Sequence, residues 1–278
     1  MIDAHLHFWN AEHAVHNWPE SVTGKLRCAF TPDDLKPQLA EAGVESVVLM
    51  QSRNDFEESL HFSRLAGEHD FIGALVGWVD LADPDNVDAA LDRLAQCGKL
   101  RGVRHLINFE PDPDWLRADP VQRSVARIAA RGLVFDVVPT DDRKFAAVLD
   151  LARDHPGLKV LIDHMGRPPV GRERGKWFAQ IEAASALANV TIKLSVGLDV
   201  LIGWTWSTGA LEPYARQIFD CFGPDRVLAA SNWPVVLASA PRYADLWREL
   251  PGLLTHLDDR QRAAVLGENA RALFSIGS

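Results

Sequence analysis

The sequence predicts one domain, residues 1–278, built as a (β/α)8 barrel of the TIM type with a C-terminal capping helix. Three observations predict it. Eight short apolar runs recur along the chain, and stretches with helical signals separate them. At 278 residues the chain has a length at which such barrels commonly form one domain. The first run is followed by His7-Phe8-Trp9-Asn10, not by the glycine-rich turn of a doubly wound sheet.

The first strand covers Met1 to Trp9. Strand side chains alternate, so Asp3, His5 and His7 are expected on one face, with Ile2, Leu6 and Phe8 on the apolar one. Two imidazoles two residues apart can converge on one ion or one substrate atom. Residues 10–31 form a loop carrying His13, His16, Trp18, Pro19 and Arg27. It is long for a plain connection and reads as a lid or pocket wall. Thr31 caps a helix with Pro32 at its first position, and the helix ends at Gly43.

From there strand and helix alternate. Strands are expected at 46–51, 71–78, 100–107, 133–138, 158–163, 189–195 and 226–231. Helices are expected at 55–68, 83–97, 120–131, 141–154, 176–187 and 209–222. The last helix, 258–274, is expected to pack Val265, Leu266, Ala270 and Leu273 against the barrel.

Composition narrows the function. Apolar residues make up 47%, enough for a substantial core. A net charge of −9 argues against generic binding to nucleic acid or to an anionic membrane. Cys28, Cys97 and Cys221 are far apart and odd in number, which points to reduced thiols in a cytoplasmic protein. A strand starting at residue 2 leaves no room for a signal peptide, and no apolar run is long enough to span a bilayer.

In such barrels chemistry gathers at the C-terminal strand ends. Those ends carry His5 and His7, Arg104 and His105, Asp163, His164 and Arg167, Lys193 and Ser195, and Asn232 with Trp233. Histidines on one rim suit a metal or hydrolytic site. Asp163 follows strand alternation and is expected to face away from His164, orienting an imidazole from behind. Arg104 suits a carboxylate or sugar hydroxyls through its planar fork, or a salt bridge to a neighbouring strand end. Arg27 and Arg167 are further candidates for ring hydroxyls or a carboxylate. Lys193 reads as a solvated or paired barrel lysine. Trp18, Trp204, Trp206 and Trp233 are candidate walls of a sugar-sized pocket.

Five motifs together resemble the amidohydrolase-related (amidohydrolase 2) family, in particular its sugar-lactone hydrolase branch. They are Asp-Ala-His-Leu-His-Phe-Trp at 3–9, Leu-Arg-Gly-Val-Arg-His at 100–105, Ile-Asp-His-Met-Gly-Arg-Pro at 162–168, Ile-Lys-Leu-Ser at 192–195 and Ser-Asn-Trp-Pro-Val at 231–235. The resemblance implies a lactone opened to its hydroxy acid, so the expected partner is a small sugar lactone or a related carboxylate. It implies that His5, His7 and His164 line the reaction centre and hold a divalent metal such as zinc or manganese in those members that use one. It makes Arg104 and His105 candidate substrate contacts.

One position departs from the family pattern. The family usually has aspartate after strand eight, as metal ligand or as base for the attacking water; this chain has Asn232. An amide is neutral, a poorer ligand for a divalent ion, and cannot act as a general base. Three accounts stay open at this level: an engineered trap for substrate, a natural variant whose base lies elsewhere, or a barrel that binds without hydrolysing. A metal-dependent decarboxylase of the same wide family is the rival enzyme class.

Overall fold

The computed structural model describes residues 1–10, 26–195, 197, 208–238, 240 and 242–277. Eight strands lie side by side in chain order. They are β1 (Ile2–Leu6), β2 (Ser46–Met50), β3 (Ile72–Gly77), β4 (Leu100–His105), β5 (Val134–Val137), β6 (Lys159–Ile162), β7 (Val190–Leu194) and β8 (Val227–Ala229). Every neighbouring pair from β1–β2 to β7–β8 is parallel. The seam between β8 and β1 closes above the strands. There His7 N donates to Trp233 O at 2.8 Å and Asn232 N to His5 O at 2.9 Å. The result is the nearly closed TIM barrel that the alternation predicts.

The helices are α1 (Pro32–Ala42), α2 (Phe56–Glu68), α3 (Val87–Ala95), α4 (Asp119–Ala130), α5 (Asp142–Asp154), α6 (Gly175–Ser185), α7 (Thr208–Phe222), α8 (Tyr243–Glu249), α9 (Asp259–Ala263) and α10 (Asn269–Leu273). Pro32 does start α1, and Thr31 and Asp34 form a capping box there. Asp55 caps α2, accepting from Glu57 N and Glu58 N. The helix expected from Asp83 starts only at Val87, because Asp83 to Asn86 close a turn through Asn86 N and Asp83 O at 3.2 Å. The short α8 was not expected.

Two apolar layers hold the barrel. The larger lies between strands and helices. The smaller fills the lumen with Ile2, Val48, Met50, Val76, Leu161 and others, and joins them to Ala270, Phe274 and Ile276 from the chain's end. The expected single capping helix is thus two short helices joined by a wide turn, Ala264–Glu268. It seats directly on the start of β1: a Cβ at Gly267 would lie 3.2 Å from Ile2 N. Ile276 presses on β3, where a Cβ at Gly73 would lie 2.7 Å from its Cγ2. This end of the lumen is closed by packing, so the chemistry is left to the other.

Candidate active site

β1 does not alternate as its sequence suggests. Its pairing with β2 shifts register between Asp3 and Leu6. Ile2 and Ala4 belong to the lumen layer, Leu6 and Phe8 to the outer one. The irregularity puts His5 and His7 in the lumen and turns Asp3 outward, correcting the expectation that all three share a face. Asp3 is fully buried at the seam. It accepts from Ser231 N at 2.9 Å, His5 N at 3.1 Å, Ser231 Oγ at 2.5 Å and Tyr243 Oη of α8 at 3.0 Å.

His5 and His7 meet edge to face, with Nε2 to Nε2 at 2.9 Å. His7 Nδ1 lies 3.1 Å from the Met50 carbonyl at the end of β2. The His164 ring centroid is 4.7 Å from that of His5, and His164 Nδ1 lies 2.9 Å from Ser195 Oγ. The three predicted histidines are therefore brought together, all of them buried.

Beneath them sits an ion cluster. Lys193 Nζ donates to Asp163 Oδ1 at 2.7 Å, to His5 Nδ1 at 2.9 Å, and to Asp136 Oδ2. Arg104 donates to Asp163 Oδ2 through Nε at 2.9 Å and Nη2 at 2.8 Å, and its Nε lies 3.2 Å from Asp136 Oδ1. Two buried carboxylates thus face two buried cations, the condition under which such charges persist away from water. Burial pushes the Asp136 carboxyl up to about 7, with the charge of Asp163 adding to it. Burial acts the same way on Asp163, but the Lys193 and Arg104 cations outweigh it and hold that carboxyl well below the usual range. Burial, then the Lys193 charge, lowers His5 well below the ordinary imidazole value. Burial, then the Arg104 charge, does so for His7. Both rings are neutral at pH 7.

The expectation that Asp163 faces away from His164 fails for a local reason. β6 ends at Ile162, and His164 and Met165 take left-handed φ of 52° and 53°. Beyond the strand end alternation no longer applies, so Asp163 and His164 serve one site. Lys193 is a paired barrel lysine, as one reading had it, and it stands in the middle of the site. Asp136 was missed. Its signal was a lone carboxylate inside the apolar run from Val134 to Val137, which a buried strand tolerates only with a partner.

The remaining candidates, apart from Asn232, whose backbone N donates to His5 O, lie elsewhere. His105 is held between Trp78 Nε1, which donates to its Nδ1 at 3.0 Å, and Glu110 Oε1, 2.7 Å from its Nε2. It stacks on Trp115 at 4.1 Å. Trp233 packs in the outer layer against Phe8 and Phe30, with centroids 5.9 and 5.3 Å away. Asn232 is buried, with φ of 55°, and follows the lumen residues Leu228 and Ala230. Arg167 borders a separate cleft with Thr140, Glu173 and Trp177, and Arg27 is exposed. Trp18, His13, His16, Trp204 and Trp206 lie outside the described residues.

His5, Asp163 and His164 offer three ligand atoms within 4.8 Å of one another, a group that can hold a metal ion. Imidazole nitrogen and carboxylate oxygen fit zinc or manganese. Asp163 joins two of the three predicted histidines in this group, and the Nε2 of the third, His7, lies 2.9 Å from that of His5. No helix among the described residues is long and apolar enough to cross a membrane.

The chain as a whole is similar to several known proteins. The chain is 35% identical over 235 residues to an L-fucono-1,5-lactonase of Burkholderia ambifaria, covering 84% of this chain and 80% of that one. It is 29% identical over 292 residues to the L-fucono-1,5-lactonase of Burkholderia multivorans, covering 99% and 96%. A crystal structure of a Burkholderia multivorans amidohydrolase with bound zinc superposes with a TM-score of 0.88 at 27% identity, covering 99% of each chain. The amidohydrolase model of the amidohydrolase 2 group matches residues 2–276. On this match along nearly its whole length, the chain belongs to the amidohydrolase 2 family.

Proposed function

We propose that this chain hydrolyses a sugar lactone to the open hydroxy acid. The observation that carries the reading is the pair of buried, neutral imidazoles of His5 and His7 beside His164 at the barrel mouth. Kinship to lactonases supports the substrate class.

Hydrolysis needs a proton acceptor for water and a donor to the carbonyl oxygen as charge develops there. A neutral imidazole is an acceptor at one nitrogen and a donor at the other. The histidine group therefore supplies both functions without a carboxylate at position 232. Water adds to the carbonyl carbon and loses a proton to an imidazole. The ring C–O bond then breaks, and the ring oxygen leaves as a hydroxyl after taking a proton. Asn232 contributes an amide that can hydrogen-bond substrate, but it takes no proton. A divalent ion held by His5, Asp163 and His164 would polarise the carbonyl.

The test is acid release from a panel of sugar lactones by the protein and by Asn232→Asp, each with zinc or manganese and with chelator. We expect turnover by both, faster in the Asp variant, since a general base contributes on the order of 10²–10⁴ in rate. Silence from both across the panel overturns lactone hydrolysis.

A further inference from the structure

We propose that Tyr243 and Ser231 are positioning residues that act through Asp3 to hold His5 and Asn232 in their places in the site. The effect on turnover rests on the lactonase reading; the placement itself does not.

The brace begins at the irregularity of β1. The register shift that turns Asp3 out of the lumen brings its carboxylate within reach of the helix layer. Donors from β1, from the residues after β8 and from α8 meet there. Oδ1 accepts from Ser231 N at 2.9 Å and from His5 N at 3.1 Å. Oδ2 accepts from Ser231 Oγ at 2.5 Å and from Tyr243 Oη at 3.0 Å. Each oxygen has a pair of donors, so the carboxylate cannot turn without giving one up. Asp3 and Tyr243 are fully buried, so solvent offers no substitute donor.

Ser231 carries the hold further along the chain. Its Oγ also accepts from Trp233 N at 2.9 Å. Asn232 therefore lies between neighbours that are both tied to Asp3, and its own N donates to His5 O at 2.9 Å. Its φ of 55° is left-handed, a region that asparagine tolerates better than most residues other than glycine. Such a conformation persists where the surroundings over-determine it. Here the backbone N–H groups of Ser231, Asn232 and Trp233 are all engaged. His5 is gripped at both ends of its backbone, its N by Asp3 and its O by Asn232.

A seam that needed only stability has an apolar contact already, Phe8 against Trp233. The Asp3 network is directional instead. It ends on the backbone of His5 and of the position where the family pattern has aspartate. Misplacing a reacting group by about 1 Å from a remote site can cost on the order of 10²-fold in rate. Loss of a single hydroxyl, with the rest of the brace in place, costs less.

The test compares Tyr243→Phe, which removes only the phenolic oxygen of the brace, with Tyr214→Phe. Tyr214 Oη donates to Pro169 O at 2.9 Å, beyond β6, and does not touch Asp3. Ser231→Ala breaks the brace at its other end, so either brace variant alone can decide. The first readout is proton–nitrogen NMR on asparagine-labelled, chelator-treated protein, the Asn232 signals being those lost in Asn232→Asp. They are expected to move in Tyr243→Phe and Ser231→Ala while the other asparagine signals stay, and to keep their places in Tyr214→Phe. On a sugar lactone, kcat in Tyr243→Phe should fall on the order of 10-fold with KM changed by less than about twofold, and Tyr214→Phe should match the original protein. Asn232 signals that stay in either folded brace variant overturn the proposal. So does an unchanged kcat once they have moved, and so does an equal loss of kcat in Tyr214→Phe, which would mark general loosening. Moved Asn232 signals in a protein whose original form is silent on lactones support the brace and remove the proposed reaction.

Discussion

The two ends of the lumen are built from the same strands and differ in almost every physical respect. At the N-terminal end Ile2, Val48 and Leu161 meet Ala270, Phe274 and Ile276 in an apolar plug. At the C-terminal end Asp136, Asp163, Arg104 and Lys193 form a buried ion cluster under three histidines. Apolar burial is non-directional and adds stability in proportion to area. A buried ion cluster is directional: its desolvation cost offsets much of its attraction, and what it supplies is fixed geometry. The contrast teaches that this barrel is stabilised from below and made reactive from above.

The sharpest way to break the contrast is at the upper end. His164→Ala is expected to lower kcat/KM by about 10²–10⁴ while leaving the urea midpoint nearly unchanged. Equal losses of rate and stability would mean that the mouth is part of the stabilising core. At the lower end Phe274→Ala should cost about 3–5 kcal/mol in urea unfolding, with activity per folded molecule retained. A large fall in kcat there would show that the plug also shapes the site.

The seam gives a smaller effect with a definite sign. Burial pushes Asp3 from 3.8 up to about 6, against the pull of its hydrogen bonds to Ser231, His5 and Tyr243. The folded state therefore keeps a proton that the unfolded state has lost. The favourable contribution is complete below pH 4 and fades as pH rises through about 6, by about 3 kcal/mol. Asp3→Asn should flatten that dependence relative to the original protein in urea titrations between pH 4 and 7; parallel curves would refute the assignment. The smallest effect is at the plug's own start. Asp258 caps α9, accepting from Gln261 N at 2.8 Å, and Asp258→Ala should cost about 1 kcal/mol by thermal unfolding, with no change in rate.

How legible the site was depended on distance from a regular strand. His5 and His7 could be placed together because they sit two apart at the end of β1, even though the register shift below them moved Asp3 out. His164 was recognised by motif, while Asp163 was assigned to the wrong side because the backbone turns left-handed one residue later. The direction of Lys193 was not readable. A lysine in an apolar strand can be solvated or paired, and its partners come from β1, β5 and the residue that follows β6. His105 and Trp233 carried the right residue types at the right strand ends, yet each packs into a neighbouring network.

By itself the sequence determined the alternation of strand and helix, the start of a helix at Thr31 and Pro32, and the rim that carries the histidines. These depend on local patterns: hydrophobic period, turn chemistry and the residues next to strand ends. It also determined the asparagine at 232. Only the tertiary structure decided which carboxylates face Lys193 and Arg104, which ring nitrogens meet, and that the chain's last segment closes the lumen. Those contacts join residues as far apart as Lys193 and His5, or Ile276 and Gly73. No local pattern encodes them. They follow from closing the barrel, which forces buried charges to find partners across it.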